Sequence, residues 1–131
     1  MITESIQYWI DISEYDLQTA QAMLDTQRFL YVGFMCHQNI EKILKAYYIH
    51  KINNKPPYTH NLSYLAEQSG LMKLLSEEHK SLMDILESLN IEARYPKYKD
   101  NLLKSLTFEK CKSLLHDTGE FHKWIKILLL T

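Results

Sequence analysis

His37, Gln38, Glu41, Lys42 and Lys45 crowd into one stretch of otherwise apolar sequence, Cys36-His37-Gln38-Asn39-Ile40-Glu41-Lys42-Ile43-Leu44-Lys45-Ala46. At helical spacing Gln38, Lys42 and Lys45 share a face, and His37, Glu41 and Lys45 form an overlapping ridge. Charge beside a core is costly unless it is paired or used. The plainest account is an intrahelical Glu41–Lys45 pair, worth a few tenths of a kcal/mol (~0.3). The functional account is a polar cleft between helices that takes an anionic ligand. There Lys42 and Lys45 act as point charges and Arg94 as a two-pronged phosphate partner. Two later pieces have the residue types to meet this ridge, Tyr58-Thr59-His60-Asn61-Leu62 and Glu92-Ala93-Arg94-Tyr95-Pro96.

Other chemistries find weaker footing. His37 and Glu41 share a helix face, and His60 or His116 could complete a metal site. Yet no His-Glu-x-x-His pattern and no zinc-spaced cysteine pair occurs, so no metal or cofactor is expected. Cys36 lies in an apolar run that disfavours a thiolate, and no nucleophile elbow is present. The three glycines, Gly33, Gly70 and Gly119, are isolated from one another, which excludes a P-loop or a dinucleotide fingerprint.

The elements that must position the ridge are helices. Ile6, Ile10, Ser13, Leu17, Ala20 and Leu24 recur at the helical period, which predicts a first helix over residues 3–25 with Thr3 as its cap. Residues 28–52 are apolar nearly all round at first and then on one side, the pattern of a central helix. Pro56-Pro57 ends that pattern. A short third helix is expected over residues 60–68, closed by Ser69-Gly70. A fourth is expected over 76–91, with Leu82, Ile85, Leu86 and Leu89 inward. Ser76 with His79 falls short of a full capping box. Residues 94–104 read as an irregular connection with Pro96 as breaker. The last helix starts near Thr107 with the stripe Cys111, Leu114, Leu115, Thr118, Phe121, Ile125 and Leu128. Gly119 inside it costs about 1 kcal/mol against alanine and predicts close packing or a bend.

Four long helices and a short one, with no strand pattern, predict an all-α fold, an antiparallel up-down four-helix bundle in a single domain over residues 1–131. Three Gly and three Pro are too few for the turns of an all-β chain. The net charge of −1 argues against a general polyanion binder, but its distribution is uneven. Residues 1–25 carry five acidic and no basic side chains. Residues 94–112 carry six basic against two acidic, which reads as a basic surface or a solvated helix face. Cys36 and Cys111 suggest buried free thiols and a cytoplasmic setting. No apolar run reaches the length of a membrane span, and no signal-peptide pattern opens the chain.

Asp16-Leu17 and Ala20, then Tyr31 and Phe34, then Cys36-His37-Gln38 with Glu41-Lys42 and Leu44-Lys45-Ala46, follow in an order that is itself informative. Pro57 with Thr59-His60-Asn61-Leu62 and the Ala93-Arg94-Tyr95-Pro96 turn complete it. With these residues the chain resembles the HEPN domain, a family of small helical domains of higher eukaryotes and prokaryotes, over nearly its whole length. The resemblance implies a commonly dimeric helical bundle. It also implies nucleotide binding, RNA cleavage in toxin–antitoxin and defence systems, or partnership with a minimal nucleotidyltransferase.

The RNase branch requires Arg, four to six residues of which the first is polar, then His. After Arg94 the histidine position falls on Lys99, Asp100 or Asn101, and after Arg28 on Gly33, Phe34 or Met35. The motif is absent, and neither Lys nor Asn replaces an imidazole that titrates near neutral pH. The expectation is therefore a non-catalytic protein that binds a nucleotide or other phosphate, or that partners a nucleotidyltransferase. Its ligand-binding set is Gln38, Glu41, Lys42, Lys45, His60, Arg94 and Tyr95. Lys42, Lys45 and Arg94 would supply charge, His60 and Tyr95 hydrogen bonding or base stacking, and Gln38 and Glu41 orientation. An RNase with a variant site using His60 and a purely structural dimeric module are the alternatives.

Overall fold

The computed structural model describes residues 2–95 and 104–131, and every regular element among them is helical. Helix α1 spans Glu4–Asp25, α2 Phe29–Ile52, α3 Leu62–Gln68, α4 Glu77–Arg94 and α5 Phe108–Leu129, with a 3-10 turn at Leu71–Leu74. The Lys97, Lys99, Asp100 and Asn101 positions and the Pro96 breaker lie outside the described residues.

Local chemistry sets most of the boundaries. Thr3 Oγ1 accepts from the Ile6 amide at 3.2 Å to open α1, and Thr107 Oγ1 accepts from Lys110 at 3.2 Å to open α5. Asn53 ends α2 in the left-handed region, φ 58°, a conformation asparagine tolerates better than most residues. Gly70, φ 81°, turns the chain from α3 into the 3-10 segment.

Two boundaries differ from the sequence expectation, and both matter to the site. α3 is capped by Asn61 and begins at Leu62, so His60 stays in extended chain, where its ring can reach across to α2. α4 runs to Arg94, one turn beyond the expected end, so Arg94 is a helical residue in the last turn, where a cation suits the helix C-terminus. The start of α4 is also a correction. His79 Nδ1 accepts from the Ser76 amide at 3.3 Å while Ser76 Oγ accepts from His79 N at 3.1 Å, so an imidazole completes the capping box that usually needs Glu or Gln.

α2 is the central element, in contact with α1, α3, α4 and α5. Its Val32, Cys36, Ile40, Ile43, Leu44 and Ala46 are fully excluded from solvent. Around it pack Ile6, Ile10 and Ala20 of α1, Leu62 and Leu65 of α3, Met83 and Leu86 of α4, and Phe121 and Ile125 of α5. The inner face of α4 is Leu82, Met83, Leu86 and Asn90, so Ile85, expected inward, is 51% exposed. Close packing falls at Gly33 and not at Gly119. A Cβ on Gly33 would stand 2.8 Å from Leu89 Cδ1 and 3.2 Å from its Cβ, whereas one on Gly119 would meet nothing within 4 Å. No described helix is long and apolar enough to cross a membrane.

Gly119→Ala is therefore expected to raise unfolding stability by about 1 kcal/mol through helix propensity alone. Gly33→Ala should lower it by about 1 kcal/mol, because forcing Leu89 aside outweighs the same gain. Urea unfolding followed by far-UV circular dichroism checks both.

Candidate functional site

The ridge on α2 is a network of pairs. Glu41 is 1% exposed, and its two carboxylate oxygens are held separately. Oε2 faces Lys45 Nζ at 3.2 Å, and Oε1 faces His60 Nδ1 at 2.8 Å. Lys45 is itself buried, with its ammonium 5.3 Å from the centre of the Trp9 ring. His37, wholly buried, stands between two carboxylates: Nδ1 lies 4.0 Å from Glu41 Oε1 and Nε2 lies 3.6 Å from Glu87 Oε1. Glu87 also accepts the Leu62 amide, which ties the start of α3 to α4. Burial alone would raise the Glu87 pKa, but the His37 contact and the Leu62 amide outweigh it and hold the carboxyl below its usual range.

One helical turn to the side, Lys42 Nζ bonds Gln38 Oε1 at 2.9 Å and pairs with Asp16 Oδ2 of α1 at 3.5 Å. Arg94 is placed differently. Its Nε donates to Asn90 Oδ1 at 3.3 Å, and its guanidinium lies over the Phe34 ring, 5.2 Å from the centroid, with the side chain exposed. Tyr95 follows it, 54% exposed.

So the structure joins Glu41, Lys45 and His60 in one contact and Gln38, Lys42 and Asp16 in another, and it sets Arg94 on Phe34 with neither group. Phe34 and Glu41 are seven residues apart and share one face of α2. At 1.5 Å per residue that is about 10 Å along the axis. Arg94 and His60 are thus docked two turns apart on one ridge, and each has an end in water; the His60 side chain is 60% exposed. Since Glu41 occupies Nδ1 of His60, Nε2 is the nitrogen left for a ligand.

The sequence reading missed the contribution of Glu87 and Asn90. Nothing local marks Glu87, a polar position on an amphipathic helix that meets His37 of α2 only in the folded chain, whereas Asn90 stands four residues before Arg94, a helical spacing that could have paired them. It also missed a second buried polar group. Asn39 Nδ2 donates to the Ser13 carbonyl at 2.7 Å and to His122 Nδ1 at 3.1 Å. The carbonyl fixes the amide orientation, so Nδ1 of His122 accepts and its proton sits on Nε2, 3.5 Å from Glu14 Oε2. Lys126 holds that same oxygen at 2.7 Å. Burial pushes the His122 pKa down. Cys36 is no nucleophile, because burial pushes its thiol up to about 12. Among the described residues no group of three His, Cys, Asp or Glu side chains has a geometry that could hold a metal ion.

The model of the HEPN domain matches residues 6–128. The chain belongs to the HEPN domain family. Membership supports a general nucleotide- or RNA-related role. No curated protein and no solved structure matches the chain.

Two outcomes follow for this HEPN chain. Glu41→Ala leaves Lys45 buried without its counter-charge and should cost about 3 kcal/mol, read by urea unfolding at pH 7. Stability should also fall in acid. The lowered pKa of His122 adds stability that is present above the ordinary histidine value and lost as pH drops through the folded one. The lowered pKa of Glu87 adds stability present above the ordinary carboxylate value and lost below it, so Glu87→Gln should flatten the most acidic part of the profile.

Proposed function

We propose that this HEPN domain binds a nucleotide or an RNA phosphate without cleaving it, along the α2 ridge between His60 and Arg94. One observation carries this reading. Lys42 and Lys45 are taken up by Asp16 and Glu41, while His60 and Arg94, seated on Glu41 and Phe34 two turns apart along α2, keep their outer ends in water. Arg94 lies over the Phe34 ring and is braced at Nε by Asn90, which leaves its other N–H groups for phosphate oxygens. His60 is held by Glu41, which leaves Nε2 to meet a phosphate or a ribose hydroxyl. Tyr95 and the fully exposed Tyr58 supply rings on which a base can stack.

The bond from Glu41 to His60 favours a second reading, RNA cleavage by a variant site. A carboxylate that fixes the imidazole tautomer is the arrangement of a general acid–base. Arg94 would then stabilise the phosphorane charge. The missing histidine after Arg94 places this second.

The proposal includes an up-down order of the four long helices, supported by the short connection between α1 and α2. It includes a cytoplasmic setting, supported by two buried free thiols. It also includes association with a second copy or with a nucleotidyltransferase chain. The exposed Tyr8, Tyr15 and Tyr31 support that association, since tyrosine is enriched at interfaces.

Calorimetric titration with ATP, GTP and a short RNA, with gel analysis of the RNA afterwards, tests both readings. Binding weakened at least tenfold by His60→Ala and by Arg94→Ala, with intact RNA, is the expected result. Lys42→Ala should have a smaller effect. Heat-free titrations with all three ligands would sink the binding reading. Cleavage lost in both variants would move the second reading to first.

A further inference from the structure

Helices α4 and α5 touch each other little, and between them runs a groove of about 790 Å³. Its apolar part includes Leu82 and Ile85 from α4 and Phe121, Trp124 and Ile127 from α5. Ile85 is 51% exposed and Ile127 60%. These are large aliphatic side chains facing water beside a half-buried tryptophan. No residue of the α2 ridge set lines this groove.

The floor is rigid. The His79 ring stacks on Phe121 with centroids 4.6 Å apart and planes 18° apart, and it lies 4.6 Å from the Trp124 ring. The same imidazole is fixed from behind, because its Nδ1 accepts the Ser76 amide. Burial lowers its pKa and favours the uncharged ring. A floor that needs no ordering on association costs less to occupy.

The rim is acidic. Among the described residues Glu77, Glu78, Asp117 and Glu120 line it with one cation, Lys123, which pairs with Glu120 at 3.7 Å. Glu77 pairs with half-buried Lys80 at 3.5 Å. A rim of this sign repels nucleic acid and anionic lipid alike. It also disfavours a symmetric pairing of two copies through this face, since such a pairing sets the same acidic rim against itself. What fits is apolar along one side and basic along the other.

We infer that the α4–α5 groove is a docking site for a basic amphipathic helix of a partner protein. The apolar face of that helix lies on Ile85, Trp124 and Ile127, and its lysines or arginines meet Glu77, Glu78, Asp117 and Glu120. From Glu77 to Ile85 the groove wall runs eight residues, about 12 Å, which accommodates roughly two turns of a docked helix. The site is separate from the ligand ridge and does not depend on it.

A synthetic three-turn helix with leucine on one face and lysine on the other tests the inference, titrated into the full chain and followed by tryptophan fluorescence and calorimetry. Binding should weaken with added salt and fall at least tenfold in Glu78→Lys and in Ile127→Ser. Both changes fall on the groove lining, where Ile127 is exposed. Asp11→Lys, an equal charge change on exposed α1, should leave it unaltered. His60→Ala, which removes the proposed nucleotide contact, should also leave it unaltered. Equal binding by a peptide with glutamate in place of lysine would overturn the inference. So would equal losses from Asp11→Lys and Glu78→Lys. A dimer of the free chain that Ile127→Ser dissociates would put a second copy in the groove and overturn it as well.

Discussion

The buried carboxylate of Glu41 is the constraint around which the rest of this domain is arranged. A carboxylate at 1% exposure is tolerable only if both of its oxygens are answered, and here they are answered from two directions. Lys45, one turn along the same helix, takes Oε2. His60, from the extended chain between α2 and α3, takes Oε1. The second partner is the more consequential, because it draws a loop down onto the central helix and orients the imidazole. His37 and Glu87 extend the same network to α4, and Glu87 in turn binds the first amide of α3. Two carboxylates, Glu41 and Glu87, thus link three helices and a loop.

That arrangement changes what the charged ridge is for. A cluster of lysines on a helix suggests an anion site. In the fold, however, Lys45 is sealed under Trp9 and paired with Glu41, and Lys42 is turned to Asp16. Their charges are spent on stability and register between α1 and α2. The groups that the proposal gives to a ligand are held from behind: His60 by Glu41, and Arg94 by Asn90 and the face of Phe34. Each has its inner side fixed and its outer side free, which is the condition for binding with little loss of side-chain entropy.

Two faces of the molecule carry distinct electrostatic character. The ridge offers an imidazole and a guanidinium, whereas the α4–α5 groove offers exposed aliphatic surface inside an acidic rim. α4 serves both, with Glu87, Asn90 and Arg94 toward α2 and Glu77, Glu78 and Ile85 toward the groove. Its extra C-terminal turn matters for this reason: without it Arg94 would not be rigidly related to either face.

Much of the fold was legible in the chain, because the information was local. Apolar periodicity, the caps Thr3 and Thr107, and the break at Pro56-Pro57 each act within a few residues, and α1, α2 and α5 formed where those signals put them. The HEPN family was legible as well, through residues spread in a fixed order from Asp16 to Pro96. The i,i+4 pairing of Glu41 with Lys45 also followed from spacing alone. What only the tertiary structure decided is which charges remain free. Asp16, Glu87 and Arg94 are distant in sequence from Lys42, His37 and Phe34. Whether they meet depends on how helices pack, and no local rule reports that. The sequence by itself determined a helical HEPN domain with a polar central helix. The packing of α1 and α4 on that helix determined that Lys42 and Lys45 are structural while His60 and Arg94 face outward, because a charge in a low-dielectric interior must be matched by whichever partner the fold brings within reach.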